Sequence, residues 1–161
     1  MTIKTLLGDD TTITFRKIKA VFEPVTVHED VTRYLPPDTR YTAPIQLFQA
    51  FQYLMAETKE YFICLHLYGK NRVNCLDVVS IGSLNQSIVH PREVFKTALL
   101  SSAAAVILIH QHPTGDPTPS REDIEITRRL KEAGELLGVK VLDHVIIGKD
   151  DYCSFVEKGL L

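Results

Sequence analysis

An uninterrupted apolar run at residues 104–109 constrains the fold of this chain more than any other segment. Such a run is too short to span a membrane and is typical of a strand that is buried on both faces. A helix that Pro91 opens precedes it, and a long helix from Ser120 to about Leu137, ended by Gly138, comes after it. Strands interleaved with helices predict an α/β or α+β layer fold with a mixed sheet. The core face of the long helix is predicted to comprise Ile124, Thr127, Leu130 and Leu137.

Weaker patterns complete the predicted order of elements. A helix is predicted from Thr42, as its cap, to about Thr58, and the partial alternation over residues 11–27 favours one or two strands. A proline-rich connector after that alternation separates an N-terminal extension, 1–40, from the main domain, 41–161. Further strands are predicted at residues 61–68, 73–81, 139–148 and 152–156, the first two forming a hairpin.

Composition narrows the classes of function. Apolar residues make up 45% of the 161 residues and charged residues 24%, which supports a packed core and argues against disorder. The formal net charge of -2 gives no sign of the basic face that nucleic-acid binders usually carry. The chain shows no secretory signal, no membrane-spanning run and only three widely spaced cysteines. We therefore expect a soluble, cytoplasmic protein with reduced thiols and no membrane partner.

The segment after the apolar run contains the residue types of a metal site. His110 and His112 are two residues apart at a strand end, so their imidazoles are expected on the same side. A loop rich in Pro and Gly then leads to a helix start, where Asp123 would supply a carboxylate. Imidazole and carboxylate suit zinc, and three protein ligands leave a fourth position open for water, as in catalytic sites. The pattern predicts one zinc ion bound by His110, His112 and Asp123.

Each part of this pattern also has a plainer interpretation. Ser120 and Asp123 have the spacing of a capping box, in which a serine and an acid three residues later satisfy the first amides of a helix. A His-x-His pair alone is often one exposed histidine and one buried, hydrogen-bonded histidine. The conjunction of strand end, tight loop and Ser-x-x-Asp helix start favours the metal site. Ser120 would be able to cap the helix and still face a metal-bound water.

The same residues carry a family resemblance. The spacing from His110 and His112 through Ser120 to Asp123 is similar to the JAMM metalloprotease signature of MPN (JAB) domains. The chain resembles the bacterial RadC family more closely still. Three segments carry this resemblance: HQHPTGDPTPSREDIEITRRL, the upstream PREVFKTALL and the downstream LDHVIIG. The resemblance runs from about residue 42 to the last residue and implies an MPN/JAB, cytidine-deaminase-like architecture. The extension shows no helix-hairpin-helix pattern, so the chain resembles a short form of the family.

The resemblance implies a hydrolase that cleaves a peptide or isopeptide bond in a protein or peptide substrate. Its pattern includes a glutamate as general base, and Glu60, just before an apolar strand, is favoured over Glu57 on the preceding helix. Glu93 is interpreted as stabilising the first turn of its own helix. Ser120 is expected to steady the oxyanion or the attacking water by hydrogen bonding. Among the remaining histidines, His144 is expected nearest the site, in a core or supporting role.

Three alternatives compete with hydrolysis. The RadC family is traditionally labelled as DNA repair, which implies a nucleic-acid-associated accessory protein that binds metal without efficient peptidase activity. The sequence offers no basic excess and no aromatic-basic interleaving for that role. A zinc nucleoside deaminase requires H-x-E and P-C-x-x-C motifs, which the sequence lacks. A metal-free scaffold is disfavoured because all four residues of the signature are present.

Overall fold

The described residues form a five-stranded mixed sheet with helices packed on both faces. The computed structural model describes residues 18–82 and 89–161. The predicted fold class, a mixed sheet flanked by helices, is confirmed. In chain order the elements are α1 (Glu29–Tyr34), α2 (Pro44–Phe51), β1 (Glu60–Leu67), β2 (Val73–Gly82), α3 (Pro91–Leu100), β3 (Ala105–Gln111), α4 (Arg121–Leu137), β4 (Lys140–Ile147) and β5 (Tyr152–Ser154).

Strand β3 lies at the centre of the sheet, whose order is β2-β1-β3-β4-β5. It pairs antiparallel with β1 and parallel with β4, while β1–β2 and β4–β5 are antiparallel pairs. Every residue of β3 is buried, which explains its continuous apolar sequence. A parallel pair needs a crossover, and α4 supplies it. The crossover starts at the C-terminal end of β3, so the first turn of α4 returns close to that end.

The alternation of side chains along β3 decides which face of the sheet carries the site. Ile107 and Ile109 belong to the apolar cluster under α1 and α2, whereas Val106 and Leu108 belong to the cluster under α3 and α4. Successive side chains of a strand point to opposite faces. His110 therefore continues the row that faces α3 and α4, and the residue two positions further on takes the same direction.

The predicted strands over residues 11–27 are wrong for the part that the structure describes. Residues 11–17 lie outside the described residues, and residues 18–27 form neither helix nor strand. Large apolar side chains of that segment remain exposed, because no described strand pairs with it. The extension instead contains α1, whose N-cap His28 accepts a hydrogen bond from a first-turn amide, and whose Val31 enters the core beside α2.

The start and end of α2 also differ from the prediction. The N-cap position is Ala43 rather than Thr42. The side-chain oxygen of Gln46 accepts hydrogen bonds from the backbone amides of Thr42 and Ala43, which stabilises the start of the helix. The α-helix ends before the predicted Thr58, and a 3-10 turn, Gln52–Ala56, continues the chain. Because a 3-10 turn repeats every three residues, it places apolar residues three apart on the same core-facing side.

The buried stripe of α4 is rotated from the predicted one. Ile124 and Leu137 are 41% and 45% exposed, so they do not belong to the core. Gly134 takes part instead, because a side chain there would collide with the carbonyl oxygen of Val139 and press against the ring of Phe95 on α3. The buried residues of the helix are Asp123, Thr127, Leu130 and Gly134, which means that two polar side chains face inward.

Neither a membrane helix nor a disulfide occurs in the described ranges. No helix within residues 18–82 and 89–161 has the length and hydropathy needed to cross a bilayer. The three cysteines are free thiols, as predicted.

Candidate metal centre

The predicted ligands meet where β3 ends and α4 begins. His110 is wholly buried near the end of β3, and the half-buried His112 comes just after the strand, with 3.0 Å between their Nε2 atoms. Asp123, in the first turn of α4, places Oδ1 3.3 Å from His110 Nε2 and Oδ2 3.3 Å from His112 Nε2. Ligand atoms of these residues all lie within 4.8 Å of one another. The structure thus brings together the three residues that the sequence singled out.

Ser120 and Asp123 form a capping box, and Asp123 also belongs to the group that could hold a metal ion. Ser120 Oγ accepts a hydrogen bond from Asp123 N at 3.1 Å, and Asp123 Oδ2 accepts from Ser120 N at 2.7 Å. The Ser120 hydroxyl also donates to Asp123 Oδ2 at 2.6 Å. The two interpretations of this pair are therefore compatible, because the cap holds the carboxylate in the orientation that faces the histidines. The Ser120 hydroxyl proton is engaged by Asp123 in this arrangement.

The loop after β3 fixes the orientation of His112. Its Nδ1 lies 2.7 Å from the carbonyl oxygen of Asp116, which only accepts, so Nδ1 carries the proton and donates. In the neutral ring Nε2 is then a bare acceptor that points at His110 and Asp123. Gly115, with φ of +87°, makes the sharp turn that this loop requires, and its carbonyl accepts from Lys149 N at 2.9 Å. The connection after β4 thus clamps the loop against the sheet.

His110 is held from its other side by His144 and Thr127. His110 Nδ1 lies 2.8 Å from His144 Nε2, and His144 Nδ1 lies 2.6 Å from Thr127 Oγ1. Thr127, one turn after Asp123 on α4, donates its hydroxyl proton to the Asp123 carbonyl at 2.5 Å. His144 is fully buried, and burial, together with the nearby His110, lowers its pKa well below the usual value. The expectation that His144 supports the site without being a ligand agrees with these contacts.

The electrostatics of the group favour a cation at its centre. Burial alone would raise the pKa of Asp123, but its close contacts with the two histidines and its hydrogen bonds with Ser120 outweigh burial and hold that pKa well below its usual value. Burial alone would lower the pKa of His112, but hydrogen bonds to Asp123 and Asp116 and the charges of Asp123 and Glu60 raise it. Two imidazole nitrogens and a carboxylate fit a divalent metal ion.

Glu60 occupies the position on β1 that is nearest to His112 in the strand register. Strands β1 and β3 run antiparallel with Phe62 opposite His110, so Glu60 lies opposite His112, just beyond the last paired residues. Its charge contributes to the raised pKa of His112. The alternative base, Glu57, is exposed and follows the 3-10 turn. Burial is the main cause of the raised pKa of Tyr53, and the charge of Glu57 adds to it. The register thus supports Glu60 over Glu57.

The third candidate glutamate, Glu93, behaves as the sequence suggested. It lies in the first turn of α3 and accepts hydrogen bonds from Lys96 at 2.6 Å and from Arg92 at 3.3 Å. Those contacts are on its own helix, in keeping with a role in stabilising the first turn.

Gln111 is a buried residue of the site that sequence reasoning missed. It lies between the two histidines, is fully buried, and points to the opposite side of β3. Its Oε1 accepts from Tyr61 N at 2.7 Å, and its Nε2 donates to Lys59 O at 2.6 Å. The amide therefore ties both backbone neighbours of Glu60 to the strand that carries the histidines. A polar residue inside a buried apolar strand was the signal available in the sequence.

Comparison with known proteins places the chain in a family. The UPF0758 protein of Pelobacter propionicus is 63% identical over 123 residues, which are 76% of this chain and 54% of that protein. The UPF0758 protein YsxA of Bacillus subtilis is 60% identical over 104 residues, 65% of this chain and 45% of the relative. The chain spans about half the length of the curated relatives it matches. A family model described as the RadC-like JAB domain matches residues 41–160, and the chain belongs to that family.

Proposed function

We propose that this protein is a zinc-dependent hydrolase of the JAMM type, which cleaves a peptide or isopeptide bond in a protein or peptide substrate. The observation that carries the proposal is the convergence of His110, His112 and Asp123 at the end of β3, with Glu60 opposite His112 in the strand register. Membership of a JAB domain family supports the same chemistry. Two imidazoles and one carboxylate are the ligand types of catalytic zinc sites that keep a position open for water.

The three ligand residues would hold the ion, and the surrounding contacts keep them ready for it. His110 and His112 would present Nε2, because their Nδ1 atoms are engaged by His144 and by the Asp116 carbonyl. Asp123 would bind through its carboxylate, which the capping box already orients. Zinc, when bound, supplies Lewis acidity, which allows water to act as a nucleophile at neutral pH. This fit concerns the donor set and does not depend on which bond is cleaved.

Glu60 is the proposed general base. Its carboxylate would take a proton from the attacking water and later return it to the leaving amine, so that one residue serves both half-reactions. Gln111 fixes the backbone on either side of Glu60, which keeps the base in register with the ligands. Ser120 is the proposed oxyanion donor. To act in that way, its hydroxyl would exchange the hydrogen bond to Asp123 for one to the substrate.

The test combines zinc content with turnover in matched glutamate variants. Purified protein is loaded with zinc and offered two quenched-fluorescence libraries, one of linear peptides and one with lysine isopeptide linkages. Glu60→Gln is expected to retain one zinc per chain and to lose activity by about 10²–10⁴-fold, the usual contribution of a general base. Glu57→Gln, three residues away and exposed, is the control and should keep full activity. Full activity in Glu60→Gln would contradict the assignment of the base.

Two further outcomes separate this proposal from its alternatives. A wild-type protein that binds no stoichiometric zinc contradicts the metal site itself. Zinc binding without turnover of either library instead favours the accessory protein associated with DNA repair. A gel-shift measurement at low salt then tests that alternative, since binding to nucleic acid depends strongly on salt.

A further inference from the structure

A continuous row of hydrogen bonds leads from the metal-facing ring of His110 back to the helix that carries Asp123. It passes from His110 Nδ1 to His144 Nε2 at 2.8 Å, from His144 Nδ1 to Thr127 Oγ1 at 2.6 Å, and from Thr127 to the Asp123 carbonyl at 2.5 Å. It joins β3, β4 and α4, and all of its side chains are buried. We refer to Thr127 and His144 as the relay.

The proton positions along this row follow one after another, starting from the Asp123 carbonyl oxygen at its end. The Asp123 carbonyl oxygen can only accept, so the single hydroxyl proton of Thr127 is used in that hydrogen bond. Thr127 Oγ1 must then accept from its other partner, which is His144 Nδ1. His144 is therefore protonated on Nδ1.

The protonation of His144 in turn determines that of His110. His144 is wholly buried between Thr127 and His110, and neither partner is an anion that would compensate a charge, so the ring is neutral and carries one proton. With that proton on Nδ1, His144 Nε2 has only a lone pair and must accept. His110 Nδ1 is consequently the donor of the 2.8 Å hydrogen bond. A neutral His110 then has no proton on Nε2, the atom that faces His112 and Asp123.

We propose that Thr127 and His144 are positioning residues that fix His110 in the Nδ1–H tautomer, so that its bare Nε2 is presented to the metal. The proposal rests on the metal-binding part of the proposed function and is independent of any peptidase activity. Neither residue supplies a ligand atom; each acts through the ligand residues that it contacts, His110 and Asp123. Because the relay ends on the backbone of Asp123, it also ties the helix that supplies one ligand to the strand that supplies another.

Removal of the Thr127 hydroxyl should disturb the proton order of the whole row. In Thr127→Val, the buried His144 Nδ1–H loses its acceptor, so His144 is free to carry its proton on Nε2 instead. It would then donate to His110 Nδ1 and leave the proton of His110 on Nε2, where it competes with a metal ion. Outer partners of ligating histidines typically change metal affinity by about 10–100-fold, and a weakening of that size is expected here.

The experiment measures zinc affinity and histidine tautomers separately. Zinc dissociation constants are determined by competition with a chromophoric chelator for the wild type, Thr127→Val and Thr127→Ser. The serine variant keeps the hydroxyl and should bind nearly as tightly as the wild type. Thr97→Val removes a different helix hydroxyl, which hydrogen bonds Asp77 on the α3 side of the sheet, and is the control for hydroxyl loss. It should leave the zinc affinity unchanged.

The tautomers are assigned in the metal-free protein from long-range ¹H–¹⁵N spectra of the imidazoles. In the wild type, His110 and His144 should both carry the proton on Nδ1. Protonation of His110 on Nε2 there, or unaltered zinc affinity in a folded Thr127→Val, overturns the proposal. If the wild type binds no zinc, the proposed function fails, while the spectra still decide whether the relay sets the tautomer. If Thr127→Val does not fold, the wild-type spectra alone give that decision.

Discussion

The loop that orients His112 rests directly on Gly148, the buried residue after β4. A Cβ at Gly148 would lie 2.7 Å from the carbonyl oxygen of Gly115, 2.7 Å from Pro117 Cδ and 2.9 Å from the carbonyl oxygen of Asp151. Ordinary contacts between carbon atoms lie at about 3.5–4.0 Å, so each neighbour would have to move by several tenths of an ångström. All three are backbone or ring atoms that cannot rotate away. The backbone of Gly148 is outside the left-handed region, so an alanine there tests the collision alone.

We expect Gly148→Ala to lower the free energy of unfolding by about 2–4 kcal/mol. Overpacking of this kind costs about 1–3 kcal/mol. The displaced loop also strains the hydrogen bonds from Gly148 N to Asp151 O and from Lys149 N to Gly115 O, both 2.9 Å, each worth about 0.5–1.5 kcal/mol. The reduced freedom of alanine in the unfolded chain offsets about 0.4–1 kcal/mol. Because the loop supplies the partner of His112 Nδ1, zinc affinity should fall as well.

Urea denaturation in excess chelator measures the change in stability, and competition with a chelator measures the affinity. Gly69→Ala is the matched control, because a Cβ at that position meets no heavy atom within 4 Å. Its stability should stay within about 1 kcal/mol of the wild type. If Gly148→Ala proves as stable as Gly69→Ala and binds zinc as tightly as the wild type, the loop does not depend on close packing against Gly148.

Two further predictions concern the strand that carries the base and the charges of the site. Gln111→Leu removes the side-chain partner of the Tyr61 amide and of the Lys59 carbonyl and should cost about 2–4 kcal/mol, with faster hydrogen exchange at the Tyr61 amide. Gln52→Leu, which removes an exposed amide, is its control, and equal effects in both would contradict the role of Gln111. The free energy of unfolding of the wild type minus that of Asp123→Asn, both measured in excess chelator, gives the stability that the carboxylate contributes. Because folding lowers the pKa of Asp123, its contribution to the free energy of unfolding is fully present above 3.8, the pKa in the unfolded chain. That contribution is lost as the pH falls through the pKa in the folded protein. Because folding raises the pKa of His112, its contribution to the free energy of unfolding is fully present below 6.5, the pKa in the unfolded chain. That contribution is lost as the pH rises through the pKa in the folded protein. The difference measured by denaturation should therefore be largest between these two values, and a difference that rises steadily with pH would refute the pairing.

The sequence was sufficient for those parts of the site that arise from local geometry. His110 and His112 share a side because a strand repeats every two residues, and Asp123 faces them because a helix starting at Ser120 returns to the same edge. The continuous apolar run of β3 likewise required cover on both faces, which the helices provide. These relations need only the period of an element and the direction of a crossover.

Relations between distant elements could not be read in this way. The contact of His144 with His110 depends on the parallel register of β3 and β4, and the contact of His144 with Thr127, which the sequence did place on the core face, depends on how α4 packs against β4. The buried stripe of α4 also includes Gly134, which packs against the carbonyl oxygen of Val139 and the ring of Phe95, and a search for apolar periodicity does not detect such a contact. Helix α1 was missed for a different reason: His28 served as an N-cap, a role for which Ser, Thr, Asp and Asn are the usual signals.

Anomalous X-ray diffraction at the zinc edge, on crystals grown with one equivalent of zinc, would locate the ion relative to its three proposed ligands. We predict a single strong peak per chain, about 2.0–2.2 Å from Nε2 of His110, Nε2 of His112 and a carboxylate oxygen of Asp123. A peak elsewhere, no peak, or coordination through Nδ1 of His110 would contradict the metal site.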